Sequence, residues 1–275
     1  MVRSILLAPA LAALAFAAAA PPGGGPSAPR VVTIVASEFH FTAPTTVPAG
    51  RTTFRLVNHG QQVHHVTLIR LNEGKTVADL EAAFKQPGPP PAWAVLVGGP
   101  NAANPGGQQE DVVELQAGNY AIVCFVPDAD GVPHVMKGMA QALTVTPAES
   151  KSAPPARYDR TLKLADYGFI LSAPLTAGTH HVLVQNGALQ PHEIVLIRLA
   201  PDKHAKDFME WAAGGMQTAP PGSFEGGASP MAPGMDNVAT LNLRPGRYLM
   251  VCFLEDGKDG KPHFVHGMIQ EFAVN

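Results

Sequence analysis

The chain has 275 residues, room for about two domains, and carries a net charge of −3 with only 15% charged residues and 27 each of glycine and proline. That balance leaves no basic face for nucleic acid. The abundance of glycine and proline fits a loop-rich β protein better than a helical one.

Residues 1–20 read as a secretory signal, with Arg3 as the positive end, Ile5 to Phe16 as the apolar stretch and an alanine run as the cleavage region. The apolar part is too short and alanine-rich for a membrane span, and no later stretch is long and apolar enough to cross a bilayer. The expected location is the periplasm or the medium. Residues 21–29, PPGGGPSAP, read as a flexible tether.

A first domain is expected over residues 30–146. VVTIVASEF opens it as a strand, and TTFRLVN alternates after an Ala-Gly turn. HVTLIRL follows as a third strand. A helix is expected from Thr76 to Lys85, started by a Thr76-x-x-Asp79 capping box. PGPPPAWAVLVGGPNAANPGG reads as a long loop. YAIVCF is apolar enough for a sandwich core, and ALTVT closes the unit. Residues 147–156, which contain SAPPA, read as a linker.

A second domain is expected over residues 157–275, with the same plan. TLKLADYGF, HHVLVQN, EIVLIRL, YLMVCF and EFAVN are its strands, with a helix from about Asp202 to Ala213 and a loop GGMQTAPPGSFEGGASPMAPG. Set over one another, Asn58 falls on Asn186, His64 on His192 and Cys124 on Cys252, all at an offset of 128. One inserted residue then brings His134 onto His263 and Met139 onto Met268. A repeat of this length is a duplicated domain. The fold class expected is all-β: two tandem Greek-key β-sandwiches, each with one short helical insertion.

Each copy supplies two imidazoles, a thiol and a thioether: His64, Cys124, His134 and Met139, then His192, Cys252, His263 and Met268. That is the ligand set of a blue-copper electron-transfer centre, because thiolate suits Cu(I), imidazole suits both oxidation states and a long axial Met bond changes little between them. The set persists while its flanks diverge, as at Pro127 against Glu255 and Lys137 against His266. A Cys124–Cys252 disulfide is the alternative for an exported chain with two cysteines, but each lies in an apolar strand of a separate domain.

The chain resembles the cupredoxin family. The resemblance rests on the Asn58-to-His64 and Asn186-to-His192 turns, on Gly118-x-Tyr120 and Gly246-x-Tyr248, and on the C-x9-H-x4-M and C-x10-H-x4-M loops. PHVMKGM is similar to the type 1 copper loop of two-domain copper nitrite reductases. The resemblance implies one copper per quartet, electron transfer, and a redox partner that docks weakly near His134 or His263. In many cupredoxins an asparagine after the first histidine ties the two ligand loops together; His65 and Glu193 stand there.

Related reductases and oxidases carry further coppers held by histidines beside the cysteine, or five residues after the first ligand. Here those places hold Val123, Phe125, Val251, Phe253, Ile69 and Ile197. The expectation from this is no catalytic residue and no enzyme. Two other readings stand beside electron transfer: a copper-free module that binds through its glycine–proline loops, and copper storage or delivery. DADG (128–131) and DGKDG (256–260) are read as turns rather than calcium loops, Met216, Met231 and Met235 as apolar cover, and His180 and His181 as exposed.

Overall fold

A computed structural model describes residues 30–86, 90–148 and 156–275. The signal-peptide and tether readings lie outside the described residues, as does most of the 147–156 linker.

The N-terminal half runs β1 (Arg30–Ser37), β2 (His40–Thr42), β3 (Thr46–Pro48), β4 (Gly50–Asn58), β5 (Thr67–Leu71), α1 (Val77–Phe84), β6 (Ala94–Gly98), β7 (Gln108–Leu115), β8 (Gly118–Val123) and β9 (Ala140–Thr146). The C-terminal half repeats the plan with β10 (Arg160–Ala165), β11 (Gly168–Leu171), β12 (Gly178–Asn186), β13 (His192–Leu199), α2 (Ala205–Ala213), β14 (Gly222–Met231), β15 (Asp236–Leu243), β16 (Gly246–Val251) and β17 (Ile269–Val274).

Both sheets run through both halves. One has the order β11-β10-β12-β15-β7-β4-β1-β2, the other β17-β16-β13-β14-β6-β5-β8-β9-β3. The seam in the first is β15 against β7, with Val238 opposite Val112 and Ala239 opposite Asp111. In the second it is β14 against β6, where Met231 meets Val97. Pairing edge to edge removes two unpaired strand edges from each half. This corrects two sequence expectations: AWAVLVGG and GSFEGGASPM, read as loop, are strands β6 and β14, and residues 228–231 of β14 are fully buried. In β14 the glycines and proline weaken propensity while the partner strands supply the backbone bonds, and in β6 the glycines and prolines flanking its AVLV run conceal the strand signal.

β4 alternates buried and half-buried along its whole length because only one face meets the core. β13 is buried at seven of eight positions, because its second face is covered by α2. Phe208 on α2 packs there with Ile197, Val251 and Phe264, and Leu80 on α1 packs likewise with Ile69, Leu96 and Val123. Ile69 and Ile197 thus lie beneath the helices. α1 starts where expected, with Asp79 Oδ2 accepting the Thr76 N–H at 2.9 Å. α2 starts three residues later than expected, because Asp207 caps the N–H of His204 at 2.9 Å instead of that of a residue nearer Asp202.

Between the sheets each half has its own core, one around Phe41, Phe54 and Tyr120, the other around Leu164, Val184 and Tyr248. Met231 and Met235 belong to the second core and Met216 to the apolar cluster under α2. His180, expected at the surface, is buried with Nδ1 2.5 Å from Asp159 Oδ2, whereas His181 is exposed.

Candidate metal centres

The first histidine of each half is delivered by an asparagine-closed turn. Asn58 Nδ2 donates to Gln62 O at 2.7 Å and Ala103 O at 2.8 Å, while its Oδ1 accepts the Gly60 N–H at 2.8 Å. Asn186 does the same with Gln190 O at 2.9 Å, Met231 O at 2.8 Å and the Ala188 N–H at 3.1 Å. A short side chain that bonds its own turn is what Asn supplies best. The chain therefore leaves β4 and β12 at a set angle and brings His64 and His192 to the end of each core.

The cysteine, second histidine and methionine come from one loop. Cys124 follows β8, its N–H donates to Met139 O at 3.3 Å, and its carbonyl accepts from Val135 N at 2.8 Å. His134 N–H donates to Val126 O at 2.9 Å, and Met139 N–H to His134 O at 3.0 Å. The other half repeats all four bonds: Cys252 to Met268 O at 3.2 Å, Phe264 to Cys252 O at 3.1 Å, His263 to Leu254 O at 2.7 Å and Met268 to His263 O at 3.0 Å. The extra residue of the second loop is absorbed in the turn before Pro262. Gly138 (φ 94°) and Gly267 (φ 101°) end the short 3-10 turn in the left-handed region, which lets the chain reach the methionine at once.

The result is a buried trio at the end of each core. His64, Cys124 and His134 offer ligand atoms all within 4.8 Å of one another, as do His192, Cys252 and His263. In the first, Nδ1 of His64 lies 3.1 Å from Nδ1 of His134, and Cys124 Sγ lies 3.9 and 3.5 Å from them. In the second, Cys252 Sγ lies 3.8 Å from His192 Nδ1 and 3.3 Å from His263 Nδ1. Met139 and Met268 are fully buried in the same cores as their cysteines. Both cysteines are free.

No protein-family model matches the chain, and comparison with curated proteins finds no match. Among solved structures, auracyanin A, a "blue" copper protein from Chloroflexus aurantiacus, is similar at 25% identity over 43% of this chain and 100% of its own, with a TM-score of 0.32. A multicopper oxidase aligns at 14% identity over 90% of this chain and 89% of its own, with a TM-score of 0.27. The copper-containing nitrite reductase of Thermus scotoductus aligns at 11% identity over 90% of this chain and 62% of its own, with a TM-score of 0.26. Each half contributes strands to both sheets and carries one buried His-Cys-His trio.

The structures that align over both halves include enzymes. They overturn the expectation that the chain is not an enzyme. The physical reason is that Val, Phe and Ile at six positions exclude a second metal at those positions and nowhere else; Ile69 and Ile197 in fact face the helices.

The donor set fits copper. Burial lowers the His64 and His263 imidazoles to about 4, and lowers His134 and His192 in the same direction, so all four are neutral near pH 7. His134 Nε2 donates to Gln62 Oε1 at 3.3 Å and His192 Nε2 to Asp166 Oδ1 at 2.6 Å. Those bonds hold the proton on Nε2 and leave Nδ1 bare towards the trio. Nε2 of His64 and of His263 is buried without a partner. Burial pushes the Cys124 thiol up to about 12 and raises Cys252 further, so only a bound cation would make them thiolates near neutrality.

His65 and Glu193, which the sequence places where an asparagine would tie the ligand loops together, make that tie with their own side chains. His65 Nε2 accepts the Phe125 N–H at 2.7 Å, and Glu193 Oε1 accepts the Phe253 N–H at 3.2 Å. Each ties the first-histidine segment to the residue after the cysteine. With Nε2 accepting, His65 carries its proton on Nδ1 and donates to Asn101 Oδ1 at 3.3 Å. Asn101 Nδ2 donates in turn to Glu193 Oε2 at 3.0 Å. One buried asparagine from the β6–β7 segment therefore joins the ligand loops of the two halves. The aspartates of the two cysteine loops close turns: Asp128 Oδ1 accepts the Asp130 and Val132 N–H groups at 2.9 Å, and Asp256 Oδ1 accepts the Lys258 N–H at 2.8 Å.

Proposed function

We propose that the chain is an exported electron-transfer protein with a type 1 copper in each half, held by His64, Cys124, His134 and Met139, and by His192, Cys252, His263 and Met268. The observation that carries this is the convergence, twice, of two histidine Nδ1 atoms and a cysteine Sγ within 4.8 Å in a dry pocket. Copper bound there supplies a one-electron carrier that alternates between Cu(I) and Cu(II).

The protein's part is to hold its ligands still. Packing fixes the cysteines, the asparagine-closed turns fix the first histidines, and His65 and Glu193 brace the two loops against each other. A rigid, dry site changes little between oxidation states. His134 and His263 are fully buried, under Phe39 (ring centroids 5.2 Å apart) and Tyr167 (5.4 Å). A partner docking at the first site would touch exposed Val132 and Met136 rather than the imidazole, over a small and weak interface. Export is supported by the N-terminal sequence; no helix among the described residues is long and apolar enough to cross a membrane.

The test is a visible spectrum of copper-loaded, oxidised protein together with a metal count. An intense thiolate-to-copper band with about two coppers per chain is the expected result. A colourless product, or copper uptake unchanged when Cys124 and Cys252 are both replaced by Ala, sinks the reading.

A further inference from the structure

The two trios present the same ligand atoms and stand on different ground. Behind the C-terminal trio are carboxylates. Asp166 accepts from His192 Nε2 at 2.6 Å. Asp256 is buried with Oδ2 3.9 Å from His263 Nε2, and is held there by the hydroxyl of Tyr167 and by Gln190 Nε2 at 2.8 Å. Glu193 follows His192, and its backbone N–H bonds Cys252 Sγ.

The N-terminal trio has one carboxylate nearby, Glu38, which acts on His64 and His134 through space but hydrogen-bonds neither imidazole. Gln62 Oε1 stands behind His134, and His64 Nε2 has no partner. Neutral His65 replaces Glu193. Phe39 replaces Tyr167 and offers no hydroxyl to draw an aspartate inward, so Asp128 pairs with Lys137 instead. The Lys137 ammonium lies 4.9 Å from the centre of the Phe39 ring, itself packed on His134. Glu38, the counterpart of Asp166, turns its carboxylate to the backbone N–H groups of Gln61 and Gln62.

A carboxylate bonded to a ligating imidazole makes it a stronger donor, and negative charge close behind a ligand favours the more positive metal; Asp166 is solvent-exposed and acts through its bond to His192, Asp256 from a buried position. We infer that the two centres are unequal and ordered: the C-terminal one holds its copper as Cu(II) where the N-terminal one already holds Cu(I), with Asp166 and Asp256 as the positioning residues that set the difference. This rests on the copper reading above. With copper bound at both trios and one electron to share, the electron would rest on the His64, Cys124 and His134 side and not on the His192, Cys252 and His263 side, with no bond broken and no proton moved.

A mediated redox titration of the thiolate-to-copper band tests the order. Two one-electron steps are expected. Cys252→Ala should retain only the higher-potential step and Cys124→Ala only the lower. Asp166→Asn keeps an acceptor for His192 Nε2 and removes the charge, so it should raise the lower step and leave the upper one in place. Tyr167→Phe, which frees Asp256, should move the same step in the same direction, and serves if Asp166→Asn does not fold. A purely structural role for these residues would broaden or lose the band without shifting one step selectively. Coincident steps in the single-site variants, a reversed order, or a lower step unmoved by both substitutions overturns the ordering while leaving the copper reading intact. Absence of the band in every variant and the parent overturns both.

Discussion

The backbone N–H of Phe253 donates to Glu193 Oε1, closing in the C-terminal half the gap that the pair Phe125 and His65 closes in the N-terminal half. Two unlike side chains do one job, and Asn101 lies between them with its oxygen towards His65 and its nitrogen towards Glu193. The ligand loops of both halves are thereby parts of a single buried hydrogen-bonded chain.

Asn101→Ala should strand the His65 Nδ1–H and the Glu193 carboxylate together. Each buried polar group left alone costs about 1–3 kcal/mol, so a loss of roughly 3 kcal/mol in unfolding free energy is expected from urea titration. The same variant should weaken copper uptake in both halves. A loss confined to one of the single-cysteine variants would show that the chain of bonds does not brace both loops.

Copper should stabilise the fold. A ligand at one hundred times its dissociation constant that binds only the folded state adds about 2.7 kcal/mol per site. The melting temperature should rise with copper in the parent, rise less in Cys124→Ala and in Cys252→Ala, and stay put in the double variant.

Asp111 sits at the seam opposite Ala239, fully buried, with Oδ2 unpartnered. Burial raises its carboxyl well above the ordinary 3.8. A raised carboxyl is protonated in the fold and ionised in the unfolded chain, so stability is fully present below pH 3.8 and declines as pH rises towards the folded value. Asp111→Asn should remove that decline, so that the variant gains more stability over the parent at pH 8 than near pH 4. Urea midpoints of both proteins at the two pH values check this; an equal difference at both would count against it.

Gly227 lies on β14 opposite Val195 with φ of 128°, and a Cβ there would stand 1.9 Å from the carbonyl oxygen of Ile194. Gly227→Ala should cost about 3 kcal/mol or more, through strain and forced separation of β13 from β14. A thermal melt within a degree or two of the parent would contradict the close approach.

The sequence by itself determined much of this protein. The duplication, the eight candidate ligands, the asparagine-closed turns and the α1 cap are readable because each depends on residues near in the chain or on a repeat at constant offset. The strands β1, β4, β5 and β8 and their counterparts are readable for the same reason, as hydrophobic patterning is local. The tertiary structure alone decided the rest. β14 looks like glycine–proline loop because its partners, not its own propensity, make it a strand, and the AVLV run of β6 is hidden by the glycines and prolines on either side of it. His65, Asn101 and Glu193 carry no common motif, and only the seam brings residues 65, 101 and 193 into one chain of bonds. Asp166 and Asp256 look like turn residues until folding sets them behind His192 and His263. Hydrogen bonds and charges act over a few ångströms of space, and distance along the chain does not reveal which groups will share them.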